Sequence, residues 1–188
     1  MAKVAVLMAQ GFEDAETIVT LDVLRRAKLD VELLACADDP VVTSYFKVLV
    51  RADALLAERS GVLFDAIVLP GGPQGARNLG ADPAVVACVK AHQAAGRWVA
   101  ALCSAGAHVL AANGLLEGRR YTCSGNNHAL YADGQYVDAD IVEDRGVLTG
   151  RGLGLAFQFA FNLADRLAEP GVAARQAEHI YVDFQRQG

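Results

Sequence analysis

The chain predicts a single doubly wound α/β sandwich, a mostly parallel sheet with helices on both faces, spanning residues 1–188. Three observations carry this. Short continuous apolar runs recur, the mark of strands buried on both faces. Segments of helical character lie between them, giving a β-α-β alternation. With 53% hydrophobic residues in 188, the chain has enough apolar surface for one substantial core.

The elements follow in order. KVAVLMA (3–9) is the first strand, and DAETIVTLDVLRRA (14–27) the first helix, with Ile18, Leu21 and Leu24 expected on its inner face. DVELLACA (30–37) is a second strand. KVLVRADALL (47–56) starts as a strand, in an antiparallel excursion. FDAIVLPGG (64–72) is a strand ending in Pro-Gly-Gly. DPAVVACVKAHQAAG (82–96) is a helix with Asp82 as N-cap, Pro83 at its first position and Gly96 beyond its end. RWVAAL (97–102) is a strand, and SAGAHVLAANG (104–114) a helix stopped by Asn-Gly. RRYTC (119–123) reads as a strand and residues 135–150 as a hairpin turning at Glu143–Gly146. GLAFQFAFNLADRLA (154–168) is an apolar helix, and GVAARQAEHIY (171–181) a last one.

Composition excludes several function classes. Net charge is −5, from 17 basic and 22 acidic residues. Arg25-Arg26 and Arg119-Arg120 are isolated pairs, not a nucleic-acid footprint. No apolar run reaches the ~18 residues of a membrane span, and the N-terminus lacks the h-region of a signal peptide. A cytoplasmic protein with neither nucleic-acid nor membrane partner is expected. Cys36, Cys88, Cys103 and Cys123 show no metal-ligand spacing, so no metal site is expected and all four should be free thiols.

Ligands of such sheets bind beyond the carboxyl ends of strands. Three distinctive peptides fall there: AQGFEDAET, LPGGPQGARN and LCSAG. Cys103 lies at a strand-to-helix junction with small flanks, the arrangement of a nucleophile elbow. A helix N-terminus would lower its pKa and supply amides for an oxyanion. The pattern alone leaves this open against a small buried cysteine, a common core residue. Backbone amides of Gly71 and Gly72 could complete an oxyanion hole with that of Ser104, although Pro-Gly-Gly is also an ordinary turn. The acids of GFEDAET suit a helix first turn, yet Glu16 could face back to the loop edge as a protonated carboxyl beside Cys103, or as a proton shuttle. His128, in a polar loop, is the most available base. His108 reads as a packing or surface residue, His92 and His179 as helix-surface residues, and Cys36, Cys88 and Cys123 as core.

GFEDAET, FDAIVLPGGPQGARNL, WVAALCSAGAHVLAANGLLEGRRYT and GVLTGRGLGLAFQFAFNLADRL, in that order, resemble the ThiJ/PfpI superfamily, and within it the deglycase branch that includes a Parkinson-linked protein. The resemblance runs from about residue 3 to 168. It implies a flavodoxin-like sandwich, usually a homodimer, with Cys103 as reactive cysteine, Glu16 as the acid touching it, Glu13 as a further acid of the loop, and Gly72 and Ser104 as oxyanion amides. It also implies a cofactor-independent glyoxalase or deglycase acting on methylglyoxal or on glycated protein, or else a redox-sensing stress-response chaperone with an oxidisable Cys103. The peptidase branch has a His directly after the cysteine. Ser104 stands there instead, which argues against a cysteine peptidase or amidase. Ser124 stands where the deglycase branch carries a His near the cleft, so Glu16 becomes the main proton shuttle unless His128 reaches the site. The hydratase branch tends to Asp at the acid position, where this chain has Glu16.

Overall fold

The computed structural model describes residues 1–185; the last three of the expected domain lie outside the described residues. β1 (Lys3–Met8) leads into α1 (Asp14–Arg26) and β2 (Asp30–Ala35). The chain then makes a hairpin of β3 (Val41–Thr43) and β4 (Leu49–Arg51) and returns through β5 (Ala54–Leu55). β6 (Ala66–Leu69), α2 (Gly75–Ala81), α3 (Pro83–Ala94) and β7 (Trp98–Leu102) follow. A short pair, β8 (Arg120–Tyr121) and β9 (Gln135–Tyr136), precedes the hairpin β10 (Ile141–Asp144) and β11 (Val147–Gly150). α4 (Ala156–Leu167) and α5 (Val172–His179) complete the described fold.

Seven strands form one sheet in the order β10-β11-β7-β6-β1-β2-β5, parallel except at the β10–β11 hairpin. Side chains alternate across it. Val4, Val6 and Met8 join the cluster that includes Phe159, Phe161 and Leu163 of α4. Ala5 and Leu7 join the opposite cluster, with Val85 and Val89 of α3 and Val109. Both faces are therefore covered, which is why the strands read as uninterrupted apolar runs. The flavodoxin-like α/β expectation holds. β1, β6 and β7 are neighbours, so the three distinctive loops meet at one edge of the sheet. Among the described residues, no helix is long and apolar enough to cross a membrane.

Local expectations fare unevenly. Asp82 caps α3, accepting from the Ala84 N–H at 2.8 Å. The 135–150 hairpin turns at Arg145 and Gly146, both at positive φ. Residues 47–56 form the expected antiparallel excursion but break into β4 and β5. The inner face of α1 differs from the apolar reading: Glu16, Thr17, Thr20, Val23 and Leu24 are buried, whereas Ile18 is 43% exposed. The helix is rotated to point Glu16 at the strand ends, and that overrides hydrophobic periodicity. His92 is not a surface residue. It is buried, accepts the Phe64 N–H at Nε2 (2.9 Å), and so carries its proton on Nδ1, which donates to the Cys88 carbonyl at 2.7 Å. His108 is buried and its Nδ1 bonds the Tyr131 hydroxyl at 2.9 Å. His179 is exposed, as expected. Cys123 is buried, while Cys36 and Cys88 are partly so.

The segment expected as a helix over 104–114 is helical, but as a π-helix at Gly106–Leu110 continued by a 3-10 helix at Ala111–Asn113 rather than as an α-helix. α2 has no counterpart in the sequence reading, because two glycines in seven residues argue against a helix. Packing requires them. A Cβ at Gly75 would sit 2.6 Å from Phe12 Cα, and one at Gly80 would sit 2.0 Å from the His108 carbonyl oxygen. Gly80→Ala is accordingly expected to destabilise the protein by about 1–3 kcal/mol, by overpacking the turn that follows Cys103. A urea midpoint measures it. Gly154→Ala, where an added Cβ meets nothing within 4 Å, is the control and should leave the midpoint nearly unchanged.

Candidate active site

β7 delivers Cys103 to the edge where the three loops meet. Cys103 has φ +60°, a left-handed conformation that costs a non-glycine residue about 1–3 kcal/mol. Two backbone bonds hold it there. The Cys103 N–H donates to the Gly150 carbonyl at the end of β11 (2.8 Å), and the Cys103 carbonyl accepts the Ser124 N–H (3.2 Å). The sharp turn sets the partly exposed thiol against the first turn of α1 and the Gly71–Gly72 peptide.

Glu16 is fully buried. Its Oε2 accepts the Gly71 N–H at 2.9 Å, and its carboxyl hydrogen-bonds the Cys103 thiol. Burial pushes its pKa from 4.5 up to about 7, against the lowering effect of the Gly71 and Cys103 bonds. Burial likewise pushes the Cys103 thiol up to about 11, and the charge of Glu16 adds to this. The Ser124 hydroxyl and the Ser104 N–H, both donating to sulfur, work the other way. The two groups therefore titrate as a pair. From about pH 7 the pair keeps one proton, held mainly by the thiol; moving it to Glu16 leaves a thiolate that the Ser124 and Ser104 donors stabilise.

The site is tight. A Cβ at Gly71 would lie 2.7 Å from both Cys103 Cβ and Glu16 Oε2, so a side chain there would part the pair. Gly72 has φ +98°, and a Cβ there would lie 2.5 Å from the Gly11 carbonyl. Its own carbonyl accepts from the Ser104 hydroxyl at 3.2 Å, and its N–H has no partner among the described residues. Glu13 occupies the N-cap position of α1 without a side-chain capping bond, and donates its N–H to the Gly71 carbonyl at 3.1 Å. Burial, then the neighbouring Asp14, raises its pKa.

Cys103, Glu16, Gly71, Gly72, Ser104 and Glu13 thus come together. His128 does not join them: its ring stacks on Tyr136, 3.8 Å between centroids, and its backbone N–H serves the Cys123 sulfur. Sequence reasoning gave Ser124 no role, and Asn127, which donates to the Ser124 hydroxyl oxygen at 3.3 Å, was not singled out. Both sit in TCSGNN, where polar residues read as an ordinary turn. Among the described residues, no group of three or more His, Cys, Asp or Glu could hold a metal ion.

The Glu16 shift also makes folding pH-dependent. Between pH 4.5 and about 7 the folded chain binds the extra proton, so stability falls as pH rises through that window, by roughly 3 kcal/mol. Glu16→Gln carries no charge and is expected to lose that component. Urea midpoints on both sides of the window check it: the decline of the wild type should exceed that of the variant, and equal declines would contradict the assignment.

The DJ-1/PfpI family model matches residues 2–166. A Parkinson disease protein 7 homolog of Danio rerio is 34% identical over 175 residues, covering 90% of this chain and 92% of the relative. The glutathione-independent glyoxalase DJR-1.2 of Caenorhabditis elegans is 32% identical over 166 residues, 87% of each. Among solved structures, the C103A mutant of the DJ-1 superfamily protein STM1931 from Salmonella typhimurium is similar with a TM-score of 0.96 at 54% identity, over 98% of this chain and 100% of that one. On sequence and fold together, this chain belongs to the DJ-1/PfpI family.

Proposed function

We propose that the protein is a glyoxalase or deglycase that acts on methylglyoxal or on early glycation adducts of proteins through Cys103. The observation that carries this reading is the buried Glu16 carboxyl, poised near neutrality against a thiol on a strained elbow. The glyoxalase name of one relative points the same way.

The chemistry balances within the substrate. The Cys103 sulfur pair forms a bond to the aldehyde carbon, and the carbonyl pair moves to oxygen. The Gly72 and Ser104 N–H groups receive that oxyanion, and Glu16 protonates it to a hemithioacetal. The resulting carboxylate removes the proton from the former aldehyde carbon and returns it to the neighbouring carbon, while the hemithioacetal hydroxyl proton passes to the neighbouring carbonyl oxygen. The first carbon is oxidised to a thioester and the second reduced to a carbinol, with no external oxidant. Water then cleaves the thioester, releasing a 2-hydroxy acid such as lactate and regenerating the thiol. A carboxyl near pKa 7 can both give and take the proton at physiological pH. Four free thiols suit a reducing, cytoplasmic setting.

The working unit proposed is a homodimer. Tyr45, Phe46, Val48 and Leu49 of the β3–β4 hairpin are 44%, 70%, 53% and 68% exposed, and Ile18 of α1 is 43% exposed. The hairpin is pinned to the start of α1 by the Ser44 hydroxyl and the Phe46 N–H, both donating to the Asp14 carboxylate. These apolar side chains therefore share one side of the molecule, as a self-complementary interface requires.

Two measurements follow. Purified protein with methylglyoxal should yield lactate; Cys103→Ala should abolish it, and Glu16→Gln should lower it by about 10²–10⁴-fold. Lactate at the wild-type rate from Cys103→Ala would overturn the mechanism. In sedimentation velocity the wild type should run as a dimer and Leu49→Asp should shift toward monomer; a monomeric wild type would remove the dimer.

A further inference from the structure

Ser124 occupies a position for which the proposed reaction has no use. Its N–H donates to the Cys103 carbonyl at 3.2 Å and its hydroxyl donates to the Cys103 sulfur. Asn127 Nδ2 in turn donates to the Ser124 carbonyl at 2.9 Å and to its Oγ at 3.3 Å. A serine hydroxyl has one proton and two lone pairs. With Oγ already accepting from an amide, the proton points away from Asn127 and toward sulfur. The result is a directed chain from the Asn127 amide through the Ser124 hydroxyl to Cys103.

The chain stands on a rigid base. The Thr122 N–H donates to Thr149 Oγ1 (2.9 Å), Thr149 Oγ1 donates to the Val142 carbonyl (3.3 Å), and Thr122 Oγ1 donates to the Ala139 carbonyl (2.8 Å). Thr122 and Thr149 are both fully buried. Thr149 precedes Gly150, whose carbonyl holds the Cys103 N–H. One anchor therefore fixes the strained elbow and aims the hydroxyl at it.

We propose that Ser124 is a catalytic residue and Asn127 its positioning residue: the Ser124 hydroxyl is a fixed, uncharged donor that stabilises the Cys103 thiolate before addition and receives the sulfur's charge again when the carbon–sulfur bond breaks. In the first event the hydrogen bond weakens as the sulfur pair becomes the new bond. In the second the pair returns to sulfur and the hydrogen bond reforms; no proton leaves Ser124. Because this donor does not titrate, the ionisable groups facing the sulfur among the described residues reduce to Glu16, with Glu13 behind it. Cys123 and His128 share the loop, but the His128 ring is held on Tyr136. The role in turnover rests on the proposed glyoxalase reading, whereas stabilisation of the thiolate does not.

The test reads the thiolate directly in the full-length protein. Its ultraviolet absorbance is titrated as a difference against Cys103→Ala, and alkylation of Cys103 by iodoacetamide at neutral pH is followed by intact mass. Ser124→Ala should move the thiolate titration to higher pH and slow alkylation about tenfold, the effect of one hydrogen bond to a charged group. Asn127→Ala should shift both readouts the same way by less, and Ser124→Thr, which keeps the hydroxyl, should restore them. Unchanged titration and alkylation in Ser124→Ala overturn the proposal, and so does a Thr variant no better than Ala. If Ser124→Ala fails to fold, Asn127→Ala and Ser124→Thr decide by the same criteria. A shifted thiolate in a protein that forms no lactate supports the donor while refuting the glyoxalase reading; lactate formation with an unshifted thiolate does the reverse.

Discussion

The contact between the buried Glu16 carboxyl and the Cys103 thiol constrains the structure well beyond two side chains. A carboxyl can sit there only if α1 turns a polar stripe inward, so Thr17 and Thr20 accompany it into the interior and Ile18 is turned out. The thiol can reach the carboxyl only if the chain reverses sharply at the end of β7, which places Cys103 at φ +60°. The peptide between them can have no Cβ, so position 71 is glycine. Three elements far apart in sequence are thus fixed by one short-range requirement, and the β1-β6-β7 adjacency of the sheet meets it.

The strain and burial gathered at this edge are opposed by parts of the fold that carry no chemistry. The elbow is gripped from two sides, by the Gly150 carbonyl and the Ser124 N–H, so relaxing it would break hydrogen bonds that are buried and have no substitute. Gly150 is itself confined, since a Cβ there would lie 2.7 Å from Leu102 Cδ1. The β10–β11 hairpin therefore acts as the outer jaw of the site, although it contributes no reacting group.

Much of this was legible in the sequence. The apolar runs and their spacing gave the sheet, and small residues around Cys103 marked the turn. Asp82-Pro83 marked the start of α3. What escaped did so for physical reasons. α2 is built around Gly75 and Gly80, whose low helix propensity hides a helix that close packing demands. His92 looked like a surface residue because period alone cannot show that its ring replaces a backbone partner for Phe64. Ser124 was legible only as the absence of a histidine. Its positive role arises from Asn127, three residues on, and from Thr122 and Thr149, which β11 brings beside it.

That last case bears on how the site manages charge. A buried thiolate beside a buried carboxyl is unfavourable unless one holds a proton or neutral donors surround the sulfur. A histidine in the place of Ser124 would supply a donor but also a second titrating group near neutrality. A serine supplies the donor alone. Proton exchange is then left to the Glu16–Cys103 pair, in which burial brings the carboxyl to about 7. Such a site can cycle one proton between carboxyl and substrate while the sulfur alternates between free and bonded, and the neutral donors need not change state. The arrangement suits small carbonyls, where every proton removed is returned to the same molecule.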